Sequence, residues 1–192
     1  MCIKQEGIHD GGKGLRLDQM IKYAISKGAR ILFVGINPHH GSYRRGVPFS
    51  NNKTFWYLLN RAGVINERID ELKTDEGLKD MYETRFTRLY SLNFTNIITR
   101  PSHDVSELRK GEEDRGRIRI LKTIIGNRPR VVCFIGKVTY SKFLNSNSIR
   151  FGWQKDIGRS RVYLMHFPIR GAARIRVNEL RRIKEVAFNG KG

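Results

Sequence analysis

ARILFVGINPHHGSYRRGVPFSNNKTFW, residues 29–56, joins three kinds of sequence. ILFVGI is a short, β-branched and unbroken apolar run, which predicts a strand buried on both faces. The segment SNNKTFWYLLNRAG, residues 50–63, predicts a helix from a Ser or Asn cap to a terminal glycine. Between them lies a loop rich in His, Gly and Arg. Gly35 permits a close backbone approach, Pro38 stiffens the exit, and Asn37 offers an acceptor and two donors without charge. An Asx-type turn would use the same amide. The meaning of Asn37 therefore depends on its surroundings.

Outward from this unit, strands and helices alternate. LRLDQMIKYAISKG, residues 15–28, predicts a first helix through Leu15, Met20, Ile21, Ala24 and Ile25, closing on Gly28. Residues 64–90 predict one or two short helices. SLNFTNIIT predicts a second strand, followed by the loop RPSHDVS. The stretch from Ser106 to Asn127 has a helical pattern that would turn Ile118, Leu121, Ile124 and Ile125 toward a sheet. RVVCFIG and RVYLMHF predict two more strands, each followed by a helix, GKVTYSKFL and RIRVNELRRIKEVAF. This alternation argues for a three-layer α/β/α sandwich with a short, mainly parallel central sheet. At 192 residues one domain is expected, with a core over about 15–188 and a polar start, 1–14, and basic tail, NGKG, outside it. In such sheets ligands sit beyond the carboxyl ends of strands. That rule selects the loops NPHHGSYRRGVPF and HFPIRGAAR.

Lys and Arg total 37 against 18 Asp and Glu, a formal net charge of +19, with an isoelectric point near 10.4. Nucleic acid is the natural partner of such a surface. Cys2 and Cys133 cannot build a disulfide framework or a four-thiolate cluster. No apolar run approaches the about 18 residues of a membrane span, so no membrane partner is expected, and an intracellular place, cytoplasmic and nucleoid-associated, is. GKVT at 136–139 is no phosphate-binding loop, because position 131 is Val where that motif needs Gly. The adjacent His39 and His40 have no second ligand cluster, so no metal is expected. Covalent acyl chemistry has no Gly-x-Ser-x-Gly elbow to support it.

GINPHHGSYRRGVPFSNNKTFW resembles the mismatch-specific uracil-DNA glycosylases and the related thymine-DNA glycosylases. Their first motif reads Gly-Ile-Asn-Pro and runs through an aromatic loop to a Phe-Trp helix. TNIITRPSHDVSELRKGE is similar to the family's Thr-Lys-Leu-(two residues)-Arg-Pro-Thr segment, with Asn96 in place of the lysine. RPRVVCFIGKVTYSKF is similar to its Gly-Lys-x-x-Tyr strand and helix. The last loop departs: the usual serines and the wedge leucine are absent, and Ala173-Arg174 matches the Ala-Arg that ends the thymine-acting loop.

The resemblance implies a uracil-DNA glycosylase-like fold and a monofunctional glycosylase, working as a monomer on double-stranded DNA without a cofactor. It would release uracil, and thymine as a further substrate, from G:U and G:T mispairs by flipping the base and hydrolysing its N-glycosyl bond. Asn37 would hold the attacking water. Gly35, Ile36, Phe49, Asn96, His39 and His166 would form the base pocket, with Phe49 stacking on the base and either histidine steadying the leaving group. Arg44 and Arg45 would clamp phosphates, while Arg170, Gly171 and Arg174 would form the wedge. A glycosylase for hypoxanthine or other deaminated bases, and a non-catalytic basic nucleic-acid-binding module, are the alternatives.

Overall fold

The computed structural model describes residues 20–189. The expected polar start, residues 15–19 of the expected first helix and the tail from 190 onward lie outside the described residues. Five strands form one sheet in the order β2-β1-β3-β5-β4. They are β1 (Ile31–Gly35), β2 (Leu92–Asn96), β3 (Val131–Ile135), β4 (Gly152–Ile157) and β5 (Ser160–Met165). The pairings β1–β2, β1–β3 and β3–β5 are parallel; β4 runs antiparallel to β5.

Every residue of β1, β2 and β3 is buried; β1 and β3 are apolar runs suited to burial on both faces, whereas β2 also buries the polar Asn93, Thr95 and Asn96. Alternate side chains go to opposite faces. Ile31, Phe33, Cys133 and Tyr163 join one core, which α2 (Thr54–Arg61) enters with Phe55 and Trp56 and α7 (Ala173–Asn189) with Leu180 and Ile183. Leu32, Val34, Val132 and Phe134 join the other, against Ile120 and Ile124 of α5 (Asp114–Asn127) and Tyr140 and Phe143 of α6 (Lys137–Leu144). The expected three-layer α/β/α sandwich is thus the observed architecture. Short helices α1 (His40–Arg44), α3 (Ile69–Lys73) and α4 (Asp75–Asp80), the last continued by a π-helical turn, Met81–Phe86, complete the first layer's side.

Two expectations fail, and one strand has no counterpart in the sequence reading. Residues 20–28 are not helical. Ile21, Tyr23 and Ile25 point inward while Lys22 and Ala24 are exposed, a period of two. Contacts far along the chain hold the segment: Ser26 Oγ donates to Asn93 Oδ1 at 3.1 Å, and Tyr82 Oη donates to the Lys22 carbonyl at 3.0 Å. Helix α5 starts at Asp114, and its buried line is Gly116, Ile120 and Ile124. Ile118 is 58% exposed, and Leu121 and Ile125 also face outward. Gly116 sets this phase, since a Cβ there would overlap the Ile97 carbonyl. The hairpin strand β4 was not anticipated, although Gly158 lies in its turn with φ of 60° and Trp153 pairs edge-on with Tyr163.

Candidate active site

A cavity of about 530 Å³ opens beyond the carboxyl ends of the parallel strands. All four βα connections contribute, not only the two selected from sequence. Ile36, Asn37 and His39 follow β1; Asn96, Ser102 and His103 end or follow β2; Lys137 follows β3; Phe167, Ile169 and Arg170 follow β5.

Asn37 is partly buried, and its amide nitrogen donates to Ser102 Oγ at 2.7 Å. Longer contacts run to the carbonyls of Pro38, 3.3 Å, and Arg100, 3.5 Å. Ser102 is 2% exposed; its hydroxyl donates to the Asp104 carbonyl at 2.8 Å and its N–H to the Pro38 carbonyl at 3.1 Å. The loop carrying Ser102 is pinned by Arg100, whose Nε and Nη2 reach the two Glu112 oxygens at 2.6 and 2.8 Å. That guanidinium, helped by the Arg109 N–H, holds the Glu112 carboxyl down to about 2.

Phe49 lines the cavity with a left-handed backbone, φ 55°, a conformation that costs a non-glycine residue about 1–2 kcal/mol. Bonds on either side oppose that cost. Ser50 Oγ donates to the Val47 carbonyl at 2.9 Å, and Trp56 Nε1 donates to the Pro48 carbonyl at 2.8 Å. The ring stacks on Phe55, with centroids 4.8 Å apart, and meets Phe94 edge-on at 5.8 Å. Phe49 therefore packs on the core and walls the cavity at once.

Gly35 and Asn96 are opposite one another in the β1–β2 ladder. A Cβ on residue 35 would collide with Asn96 Oδ1, so the glycine makes room for the amide at the cavity floor. Asn96 Nδ2 donates to Tyr23 Oη at 2.6 Å. From the other side of β2, Arg119 of α5 donates to the carbonyls of Asn96 and Ile97, 2.5 and 3.1 Å away. Burial pushes the Tyr23 phenol well above its ordinary value.

His39 precedes α1, and its Nδ1 accepts from the Gly41 N–H at 3.0 Å, which leaves the neutral ring's proton on Nε2. Burial lowers its pKa, and the nearby His103, His40, Arg44 and Arg45 act the same way. The rings of His39 and His40 lie 5.5 and 4.5 Å from His103.

The remaining expected residues divide. Arg170 lines the cavity. Gly171 lies just past it, and Arg174 is exposed at the start of α7; neither lines the cavity. Arg44 is exposed on α1, whereas Arg45 is tied to Asp75 at 2.8 Å and to the Gly41 carbonyl at 3.2 Å. Arg45 thus has less freedom to grip a phosphate than the sequence implied. His166 is not a wall of the cavity: Glu179 holds its Nδ1 at 2.8 Å and its N–H at 3.1 Å, and Phe151 stacks on the ring. Together with Arg176, which donates to the carbonyls of Phe167 and Ala172 at 3.1 and 2.8 Å, this pair anchors the base of the last loop to α7.

The sequence reading missed Ser102, His103 and Lys137, and above all the apolar rim. Phe167 is 39% and Ile169 44% exposed at the cavity mouth. Applying the carboxyl-end rule to every parallel strand would have found the first three. The rim had no signal in the sequence, because the exposure of Phe167 and Ile169 is set by the fold.

The family model for the uracil DNA glycosylase superfamily matches residues 23–182, a span that holds all five strands and every cavity-lining residue except Ile21. The chain belongs to that superfamily, whose members are DNA glycosylases: hydrolases that act on uracil-type lesions in DNA and serve base excision repair.

Proposed function

We propose that this protein is a monofunctional glycosylase that excises uracil, with thymine as a further substrate, from G:U and G:T mispairs in double-stranded DNA. One observation carries the reading: a single cavity gathers the Asn37 amide, the Phe49 ring and the Asn96 amide at the ends of adjacent strands. These are an acceptor for a water, a face for a base and a polar group for the base's edge.

A duplex hides the glycosidic bond, so the nucleotide must swing out, at a cost of a few kcal/mol that is smallest at a mispair. The exposed Ile169 and Phe167 suit the space left in the stack better than Arg170 and Arg174 do. Arg170 beside them supplies a donor for the unpaired guanine, and Arg174 and Arg44 suit phosphates. Phe49 takes the extruded base on its ring and Asn96 faces the base's N–H and C=O. Asn37 Oδ1 then accepts a hydrogen bond from the attacking water, which turns a lone pair toward C1′; the C1′–O bond forms as the bond to the base breaks, the base leaves with its electron pair, and the water's surplus proton passes to solvent. The amide acts by position, since it is no useful base near neutral pH. His39, neutral with its proton on Nε2, donates toward charge developing on the leaving base. In this reading the chain works as one domain and a monomer, in the cytoplasm at the nucleoid.

A second reading has a specific support. Hypoxanthine presents the same N–H beside C=O as uracil, and about 530 Å³ admits a two-ring base. End-labelled duplexes containing G:U, G:T, G:inosine or A:U, treated with the protein and then alkali, separate the two. Cleavage of G:U ahead of G:inosine supports the first reading, and the reverse order supports the second. No base release from any duplex sinks both and leaves a binding module. Borohydride trapping tests the monofunctional part: Lys137 lines the cavity, and a covalent complex through it would overturn that part.

A further inference from the structure

We propose that Ser102 is a positioning residue whose hydroxyl decides which end of the Asn37 amide faces the cavity. The inference rests on the role given to Asn37 above. The two ends of an amide have the same shape and opposite hydrogen-bonding character. An oxygen facing the water accepts a hydrogen bond from it and leaves a lone pair for C1′. An NH₂ group there would occupy that lone pair and leave the water aimed away from the bond.

The network admits one orientation. Ser102 Oγ gives its only proton to the Asp104 carbonyl at 2.8 Å, an atom that can only accept. Toward Asn37, 2.7 Å away, Oγ is therefore limited to accepting, and the group it meets must be Nδ2. The carbonyls of Pro38 and Arg100 stand on the same side at 3.3 and 3.5 Å and are also pure acceptors. A reversed amide would set its oxygen against three oxygens. The serine contact is much the shortest, so it dominates the choice. Ser102 itself is buried and tied through its N–H to the Pro38 carbonyl, one residue beyond Asn37. Asp104 is fixed in turn, with its carboxylate accepting from the Ser106 N–H at 2.8 Å.

Ser102 is no proton relay, because a carbonyl cannot take its proton away. Its contribution is orientation, which slows or speeds the chemical step without adding an ionisation.

Thr and Val have nearly the same shape, so Ser102→Thr and Ser102→Val differ in the hydroxyl alone. Ser102→Ala covers the case in which the larger Val does not fold. Single-turnover release of uracil from a G:U duplex is expected to stay within about twofold of the parent for Ser102→Thr and to fall about tenfold for Ser102→Val, with duplex affinity unchanged and the pH profile parallel to the parent's. In an Asn37→Ala background Ser102→Val should cause no further loss. Equal rates for Thr and Val, or the same tenfold loss without the Asn37 amide, would overturn the proposal. A second readout is independent of catalysis. The Asn37 side-chain NH₂ signals should be protected from exchange in the parent and Ser102→Thr and lose protection in Ser102→Val. Unchanged protection overturns the geometry. If the parent releases no base but protection is lost in Ser102→Val, the function assigned to Asn37 fails while the Ser102 lock stands.

Discussion

The loop after β1 and the loop after β5 face each other across one cavity and are built in opposite ways. The first holds the partly buried Asn37 by one short hydrogen bond to a residue 65 positions away, and it carries Phe49 in a strained backbone held on both sides. The second leaves Phe167, Ile169 and Arg170 exposed and is fastened near its two ends, by Glu179 at His166 and by Arg176 at the Phe167 and Ala172 carbonyls. A group that orients a water must be placed within a fraction of an ångström, whereas a group entering a base stack must adapt to a deformable helix. The difference marks a chemical end and a duplex-facing end.

If that division is right, disturbing the chemical end damages rate and leaves binding alone. Asn37→Ala is expected to cost about a hundredfold in single-turnover base release while duplex affinity holds within about twofold, read by gel shift beside the cleavage assay. Equal losses in both would erase the distinction. Next in size, Gly35→Ala should drive the new methyl into Asn96 Oδ1 and destabilise the fold by about 1–3 kcal/mol, measured by urea denaturation, with a loss of base discrimination in the molecules that fold.

The other end should respond the opposite way. Ile169→Ala is expected to slow release from a G:U duplex about tenfold and to leave release from single-stranded uracil DNA nearly intact, because a single strand needs no stack filled. Arg170→Ala should lower the slope of log affinity against log salt by about one if it meets a phosphate, or relax the preference for guanine opposite if it meets that base.

The smallest effect is on pH. The folded protein holds His39 below its ordinary value of 6.5, first through burial and then through His103, His40, Arg44 and Arg45, so it binds fewer protons there than the unfolded chain. The resulting stability is complete above that value and is lost as pH falls through the lower, folded one. Thermal midpoints should decline on going from about pH 7 to pH 5, and His39→Asn, which keeps a side-chain acceptor at the cap and removes the titration, should flatten the decline. Glu112 is not the source, since its contribution falls only below its ordinary value of 4.5, on the way down to the value of about 2 that Arg100 imposes.

Much of the fold was legible because its signals are local. ILFVG, VVCFI and the run from Arg161 are unbroken apolar stretches between helical patterns, and that spacing alone predicts a covered parallel sheet. MIKYAIS was not legible in the same way, since its apolar residues fit a helix at Met20, Ile21, Ala24 and Ile25 and a strand at Ile21, Tyr23 and Ile25. Bonds to Asn93 and Asn96 on β2 and from Tyr82 chose the extended form. The phase of α5 was likewise chosen by Gly116 against the Ile97 carbonyl.

By itself the sequence determined the four parallel strands and the helices that follow them, the basic composition, and the motif that brings Asn37, Gly35 and Phe49 to the end of β1, all of which depend on neighbours within a few residues. Only the tertiary structure decided that Ser102 meets the Asn37 amide, that His166 is drawn away from the cavity by Glu179, and that Ile169 stands open at the mouth. The reason is physical: a hydrogen bond is set by distances and directions between atoms that chain folding brings together from far apart, and residue type and local periodicity carry no record of those distances.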